Sequence, residues 1–211
     1  MNGTPKSGDP QKQFSKLQRL INNQDFSEAI QVCNTILSAV PENHQALQAK
    51  AYCNLELGRW HEALHVTESS RDLSYEKAIA LYRLNKYDDA NTALDAAKDQ
   101  DGANYLRAQI LHRMGKYQEC AELYTKLYEE DPGDVQVFTN LLAALVGANM
   151  SSEALAMIED GQVPPESDNS YEVRFFAFSI SHHVPTFFRV FNYILFFFAN
   201  SFDISYIIFP C

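Results

Sequence analysis

Phe26-Ser27-Glu28-Ala29-Ile30 returns 34 residues later as Trp60-His61-Glu62-Ala63-Leu64: an aromatic, any residue, an acid, a small residue and an aliphatic one. Weaker copies follow at Tyr87-Asp88-Asp89-Ala90 and Tyr117-Gln118-Glu119-Cys120, and Ser151-Ser152-Glu153-Ala154-Leu155 is a fifth without the aromatic. From one small residue to the next the steps are 34, 27, 30 and 34. Self-similarity at this period marks an array of small units, none of which can bury its apolar face alone. A polar or glycine turn precedes each copy: Asn23-Gln24-Asp25, Gly58-Arg59, Asn85-Lys86, Gly115-Lys116 and Ala148-Asn149-Met150. Each copy therefore begins the second helix, B, of a hairpin whose first helix, A, lies just upstream. Pro41 and Pro132 fall twelve residues after Ala29 and Cys120, where a B helix should stop.

The spacing within the units is helical. Ala29, Cys33 and Ile36 recur at i, i+4 and i+7, as do Ala90, Leu94 and Ala97, and Cys120, Tyr124 and Leu127. Ala51, Ala78 and Ala108 supply matching small residues on the A helices. The expected fold is an all-α solenoid of about five helix-turn-helix repeats over residues 11–170, after a disordered stretch at 1–10. The short steps of 27 and 30 are expected to shorten the connections between units two and three and between three and four.

A different kind of sequence begins near residue 171. Of the 14 phenylalanines, 11 lie in the last 41 residues, where Glu172, Arg174, Arg189 and Asp203 are the charged groups. The most apolar run, Phe187 to Ala199, contains Arg189 and Asn192 and falls short of the roughly 20 residues a spanning helix needs. The preferred expectation is a truncated or misassigned end, with a membrane tether over 187–210 as the alternative. The N-terminal MNGTPKSGDPQKQ has no apolar h-region and reads as lacking a secretory signal.

Composition narrows the function classes. Lys plus Arg is 17 and Asp plus Glu 27, a net charge of −10 that repels a phosphate backbone. Four cysteines without a CxxC pair indicate neither a disulfide scaffold nor a zinc finger, and fit a reducing compartment. Cys33 and Cys120 sit at core spacing and read as small packing residues. His61-Glu62-Ala63-Leu64-His65 matches H-E-x-x-H, the zinc-hydrolase pattern. Yet Glu62 and Ala63 occupy slots that recur in every copy, and Glu68 and Arg71 stand where the extended motif needs glycine and a third histidine. Neither GxxxxGK[ST] nor GxGxxG occurs, so no cofactor is implied and no catalytic pairing is visible.

The 34-residue phase with its small and aromatic anchors resembles the tetratricopeptide repeat, a helix-turn-helix unit whose A helices line the hollow of the stack. That family usually has leucine just before the small A-helix residue, where this chain has Lys50, Lys77 and Arg107. Carried onto this chain, the groove-facing positions are Phe14, Gln18, Gln48, Tyr52, Leu55, Tyr75, Ile79, Tyr82, Tyr105, Gln109 and His112, with Arg83 and Arg113 at the rim. Tyrosine and amide surfaces suit a peptide guest, because tyrosine offers large contact area at low entropy cost and keeps a hydrogen bond. The slots that grip a chaperone-tail carboxylate in some relatives hold Phe14, Gln18, Ala49, Asp72 and Glu76 here, which disfavours that role.

A more specific resemblance rests on Ser74-Tyr75-Glu76-Lys77-Ala78-Ile79-Ala80-Leu81-Tyr82-Arg83-Leu84-Asn85-Lys86 and on Tyr105 to Cys120, YLRAQILHRMGKYQEC. With Gly58 to Leu64, these are similar to the N-terminal repeats of the 72-kDa subunit of the signal recognition particle. The resemblance implies a non-catalytic module that grips a C-terminal segment of the 68-kDa partner subunit, in a cytoplasmic particle that targets nascent chains to the endoplasmic reticulum. The family's lysine-rich RNA-binding segment has no counterpart here, so RNA contact is expected only indirectly, through the particle. The alternatives are a generic tetratricopeptide adaptor, with or without a membrane tether in its tail, and a zinc hydrolase built on His61, Glu62 and His65.

Overall fold

The computed structural model describes residues 10–68, 70–97 and 102–164. The expectations for the extreme N-terminus and for the Phe-rich tail at 171–211 lie outside the described residues. Among the described residues there are ten α-helices and no strand: α1 (Pro10–Asn22), α2 (Phe26–Ala39), α3 (His44–Glu56), α4 (Trp60–Thr67), α5 (Ser74–Arg83), α6 (Tyr87–Asp95), α7 (Ala103–Arg113), α8 (Tyr117–Glu130), α9 (Val135–Gly147) and α10 (Ser151–Glu159). A single 3₁₀ turn, Arg71–Leu73, precedes α5. None of these helices is long and apolar enough to cross a membrane.

Every repeat copy opens a B helix at its first residue: Phe26, Trp60, Tyr87, Tyr117 and, in the aromatic's place, Ser151. One backbone device makes all five hairpins. Two residues before each B helix stands a left-handed residue, Gln24, Gly58, Asn85, Gly115 or Asn149, with φ between 59° and 74°. The next amide reaches back to close the A helix: Asp25 to Leu20, Arg59 to Asn54, Lys86 to Leu81, Lys116 to Leu111 and Met150 to Leu145, all at 2.8 to 2.9 Å. This is the Schellman closure, which satisfies carbonyls that the helix end would leave without a donor.

The other ends are capped as the prolines suggest. α2 and α8 stop at Ala39 and Glu130, two residues before Pro41 and Pro132. The following A helices start on side-chain caps: Asn43 accepts from the Ala46 amide at 2.9 Å, and Asp134 accepts from Gln136 and Val137 at 2.8 and 2.9 Å.

The shortened repeat steps fall on the helices and not, as expected, on the connections. α4 has 8 residues and α6 has 9, against 14 in α2 and α8. α5 and α7 have 10 and 11, against 13 in α3 and α9. The link from α4 to α5 is held to the core by Leu73, fully buried with Leu47, Ala51 and Val66. The link thus supplies apolar contact that a longer B helix would otherwise make.

The chain divides between Gln100 and Asp101 into two compact units, the first carrying α1 to α6 and the second α7 to α10. In the first, helices pack in chain order and α3 also packs on α5, A helix against A helix. Its core joins Leu17, Leu20, Ala29, Cys33, Ile36, Ala46, Ala49 and Cys53. In the second, α8 packs between α7 and α9 around Ala108, Cys120, Tyr124, Phe138, Leu141 and Leu142. The small residues expected at close contacts, Ala29, Ala51, Ala63, Ala78, Ala90, Ala108, Cys120 and Ala154, are all fully buried. Cys120 also donates its Sγ–H to the Ala108 carbonyl at 3.2 Å. Burial pushes the Cys33, Cys53 and Cys120 thiols up to about 12, so all three remain protonated packing groups at neutral pH.

Candidate functional site

In the first unit the expected groove positions fall on α1, α3 and α5. Gln18 is exposed and donates to Asn22 at 3.0 Å, while Phe14 is half-buried against the core around Leu17 and Ala49. Tyr52 is half-buried, edge-on to Phe26 with centroids 5.9 Å apart. Leu55, Tyr75, Ile79 and Tyr82 are buried. Tyr82 lies 5.9 Å from the Tyr87 ring, and the Arg83 guanidinium sits over Trp60, 5.4 Å from its centroid. Rim arginine and repeat aromatic thus form one unit, a cation–π pair that also orients the guanidinium.

In the second unit Tyr105, His112 and Arg113 are half-buried on α7, and Gln109 is buried. Tyr105 stands edge-on to Tyr124 at 5.8 Å, and His112 edge-on to Tyr117 at 5.1 Å. Burial first, and then the neighbouring Arg113 charge, lowers the His112 imidazole to about 4, so it is neutral at physiological pH. The side-chain Oε1 of Gln109 is buried without a hydrogen-bond partner among the described residues.

Two polar ties carry the geometry furthest. On α3, Gln48 Nε2 donates to Glu76 Oε1 of α5 at 3.0 Å. On α9, Asn140 Nδ2 donates to the Tyr105 hydroxyl of α7 at 2.9 Å. The register of the two is identical. Gln48 and Tyr105 each stand ten residues before a left-handed glycine, Gly58 or Gly115, and Glu76 and Asn140 each stand nine before a left-handed asparagine, Asn85 or Asn149. Each unit therefore ties one A helix to the next at the same pair of slots. Of the four residues, Gln48 and Tyr105 belong to the expected groove set. Glu76 lies in the stretch that carries the more specific resemblance and is a mismatch to the carboxylate clamp, but the sequence does not mark it as a contact; Asn140 carries no signal, because its slot becomes visible only once the turns are aligned by backbone angle.

Glu76 is fully buried, 0 % exposed. Burial raises its carboxyl above the ordinary 4.5, opposed by the Gln48 hydrogen bond, by its own backbone N–H and by the charge of His44. Its second oxygen, Oε2, has no hydrogen-bond partner among the described residues. Nearby, His44 Nε2 lies 3.9 Å from Asp72 Oδ2, a long pair on solvent-exposed groups that adds little to stability. The H-E-x-x-H residues His61, Glu62 and His65 are exposed on α4, and no group of three or more metal-ligating side chains occurs among the described residues.

Comparisons with known proteins follow the same lines. The family model SRP_TPR_like, described as "Putative TPR-like repeat", matches residues 30–147. Signal recognition particle subunit SRP72 of Homo sapiens is 33% identical over 149 residues, 66% of this chain and 22% of that protein. The Dictyostelium discoideum subunit is 30% identical over 152 residues, 69% of this chain and 22% of that protein. The chain thus spans about a fifth of the length of the curated relatives it matches, 22% in both cases. Among solved structures, MamA superposes with a TM-score of 0.65 at 20% identity, covering 77% of this chain and 94% of that one. YrrB, described as "a TPR protein with an unusual peptide-binding site", superposes at 0.64 with 17% identity over 82% and 93%. At such identities these two likenesses bear on fold alone, and the fold they share is the tetratricopeptide solenoid. With the repeat model matching more than half of its length and the SRP72 subunits aligned over about two thirds of it, this chain belongs to the TPR-like repeat family of the signal recognition particle.

Proposed function

We propose that this chain is a non-catalytic protein-interaction module of the cytoplasmic signal recognition particle, and that its A-helix faces hold a C-terminal segment of the 68-kDa partner subunit during targeting to the endoplasmic reticulum. Family membership supports the particle. The observation that carries the peptide-holding part is the recurrence, in both units, of aromatic and polar groups at equivalent A-helix slots, tied helix to helix by hydrogen bonds. A face whose side chains are pre-ordered this way loses little entropy when a guest docks, which favours affinity. Phe14, Gln18, Gln48, Tyr52, Tyr105, His112 and the rim groups Arg83 and Arg113 are the proposed contacts, backed by the buried Leu55, Tyr75, Ile79, Tyr82 and Gln109. RNA enters only through the particle.

Titration calorimetry of the full chain against the recombinant 68-kDa C-terminal segment tests this. Tyr52→Ala and Tyr105→Ala, one in each unit and each only half-buried, should weaken capture about tenfold or more while keeping the helical circular dichroism, because truncated aromatic anchors dominate such interfaces. Tyr75 is a poorer target, since its full burial would mix unfolding with lost contact. If both variants bind as the parent does, the guest does not lie on these faces.

A further inference from the structure

The two helix-to-helix ties occupy equivalent slots, yet they differ in direction, Glu76 accepting where Asn140 donates, and in charge. In the second unit the tie is neutral, an Asn140 amide on a tyrosine hydroxyl. In the first it ends on a carboxyl, and only Oε1 of Glu76 is engaged, by Gln48. A neutral amide at the same slot also joins the two helices, as Asn140 does by donating, so the tie accounts for one oxygen of Glu76 and not for the other. Oε2 lies buried without a hydrogen-bond partner, a costly arrangement that native structures seldom keep without a use.

The surroundings say what would satisfy it. Gln48 already spends a donor on Oε1. Asp72, on the turn that leads into α5, is 79 % exposed and adds a second acid at the rim, where the facing basic side chain among the described residues is His44, 3.9 Å from Asp72 and itself half-exposed. An anion entering here would meet like charge, and the chain as a whole carries −10. A donor bearing positive charge meets complementary charge at the rim and, inside, a buried acceptor that has no partner among the described residues.

We propose that Glu76 Oε2, with Asp72 at its rim, forms a subsite between α3 and α5 that takes a lysine or arginine side chain of the guest segment. This rests on the peptide-holding function proposed above and names the guest chemistry that one subsite reads. The ammonium or guanidinium donates N–H to Oε2 in a charge-assisted hydrogen bond, and Gln48 keeps the carboxyl aimed. Arginine fits the fork of two oxygens less well than lysine here, because Oε1 is taken.

The test is a double-mutant cycle on the full chain, with the recombinant 68-kDa C-terminal segment as probe. Glu76→Gln keeps the Gln48 tie and should weaken capture by roughly tenfold to a hundredfold, the scale of a lost hydrogen bond to a charged group. The thermal midpoint of the free variant should rise, because a neutral amide is easier to bury; a merely structural glutamate would move stability the other way. Asp72→Asn, exposed and outside the core, should weaken capture by about two- to threefold, as for a rim charge, and keeps the question decidable if Glu76→Gln does not fold. Glu62→Gln on α4 makes the same change in net charge and should alter nothing. Replacing the segment's lysines and arginines one at a time by glutamine should identify one whose loss matches that of Glu76→Gln and removes sensitivity to it. Capture by Glu76→Gln within twofold of the parent, or a loss equal for every segment variant, overturns the subsite alone. A parent chain that does not capture the segment overturns the peptide-holding function and the subsite with it.

Discussion

His112 shows how a single side chain at the proposed face couples folding to pH. Its imidazole is packed edge-on to Tyr117 and held near 4, whereas in the unfolded chain it titrates near 6.5. Between those values the unfolded chain takes up a proton that the folded one refuses, so folding stability falls as pH drops from about 6.5 towards 4. The slope is at most ~1.4 kcal/mol per pH unit, and smaller in practice because the ring is only partly buried. His112→Phe keeps a ring against Tyr117 and removes the proton. Urea unfolding at pH 6.5 and 4.5 should therefore show a smaller loss of stability for the variant than for the parent. Equal losses would mean that His112 is not desolvated. Neither this shift nor the unsatisfied oxygen of Glu76 is legible in sequence. Register places both residues on A helices, but burial depends on what the neighbouring helix presents, as Tyr117 and Gln48 do here.

At the scale of the helices, phase was legible and length was not. The aromatic–acid–small copies mark the first residue of each B helix, and the prolines mark the ends of α2 and α8. Periodicity locates anchors, however, without saying whether a missing residue comes from a helix or from a link; after the short α4, Leu73 on the following link takes over part of the packing. The close passage at Gly147 was likewise hidden. A Cβ there would come within 2.6 Å of the Tyr117 ring, a contact between residues 30 apart in sequence. What the turns share is sharper. Each of the five A-to-B turns holds one left-handed residue, and Gln24 is the one among these five with neither the freedom of glycine nor the tolerance of asparagine. Gln24→Gly should raise stability by about 0.5–1 kcal/mol, the αL strain relieved exceeding the added unfolded-state entropy. Gly115→Ala should lower it by about 1 kcal/mol, and for conformational reasons alone, since the new Cβ would meet nothing within 4 Å. Opposite shifts in urea midpoint at unchanged slope would bear this out. A neutral Gly115→Ala would mean that the hairpin does not depend on the left-handed turn.

For the whole molecule the relevant quantity is charge. The net −10 arises entirely within residues 1 to 170, which include every repeat copy and every proposed contact. A field of one sign over the binding region steers an oppositely charged guest and slows a like-charged one, an effect on encounter more than on the docked contacts. For a guest segment read through its basic side chains, association should therefore slow several-fold between about 50 and 500 mM salt, while dissociation changes far less. Stopped-flow mixing of the chain with the 68-kDa segment separates the two rates. The same field opposes RNA, whose affinity rises with the number of cations offered to its phosphates. At about 150 mM salt the chain alone should not retain the particle's RNA on a filter, and adding the partner subunit should change that only by bringing its own contacts. An association rate indifferent to salt would remove charge as the selector of the guest. Retention of RNA by the isolated chain would show that a local basic surface overrides the net charge, and the RNA would then be a direct partner of this chain.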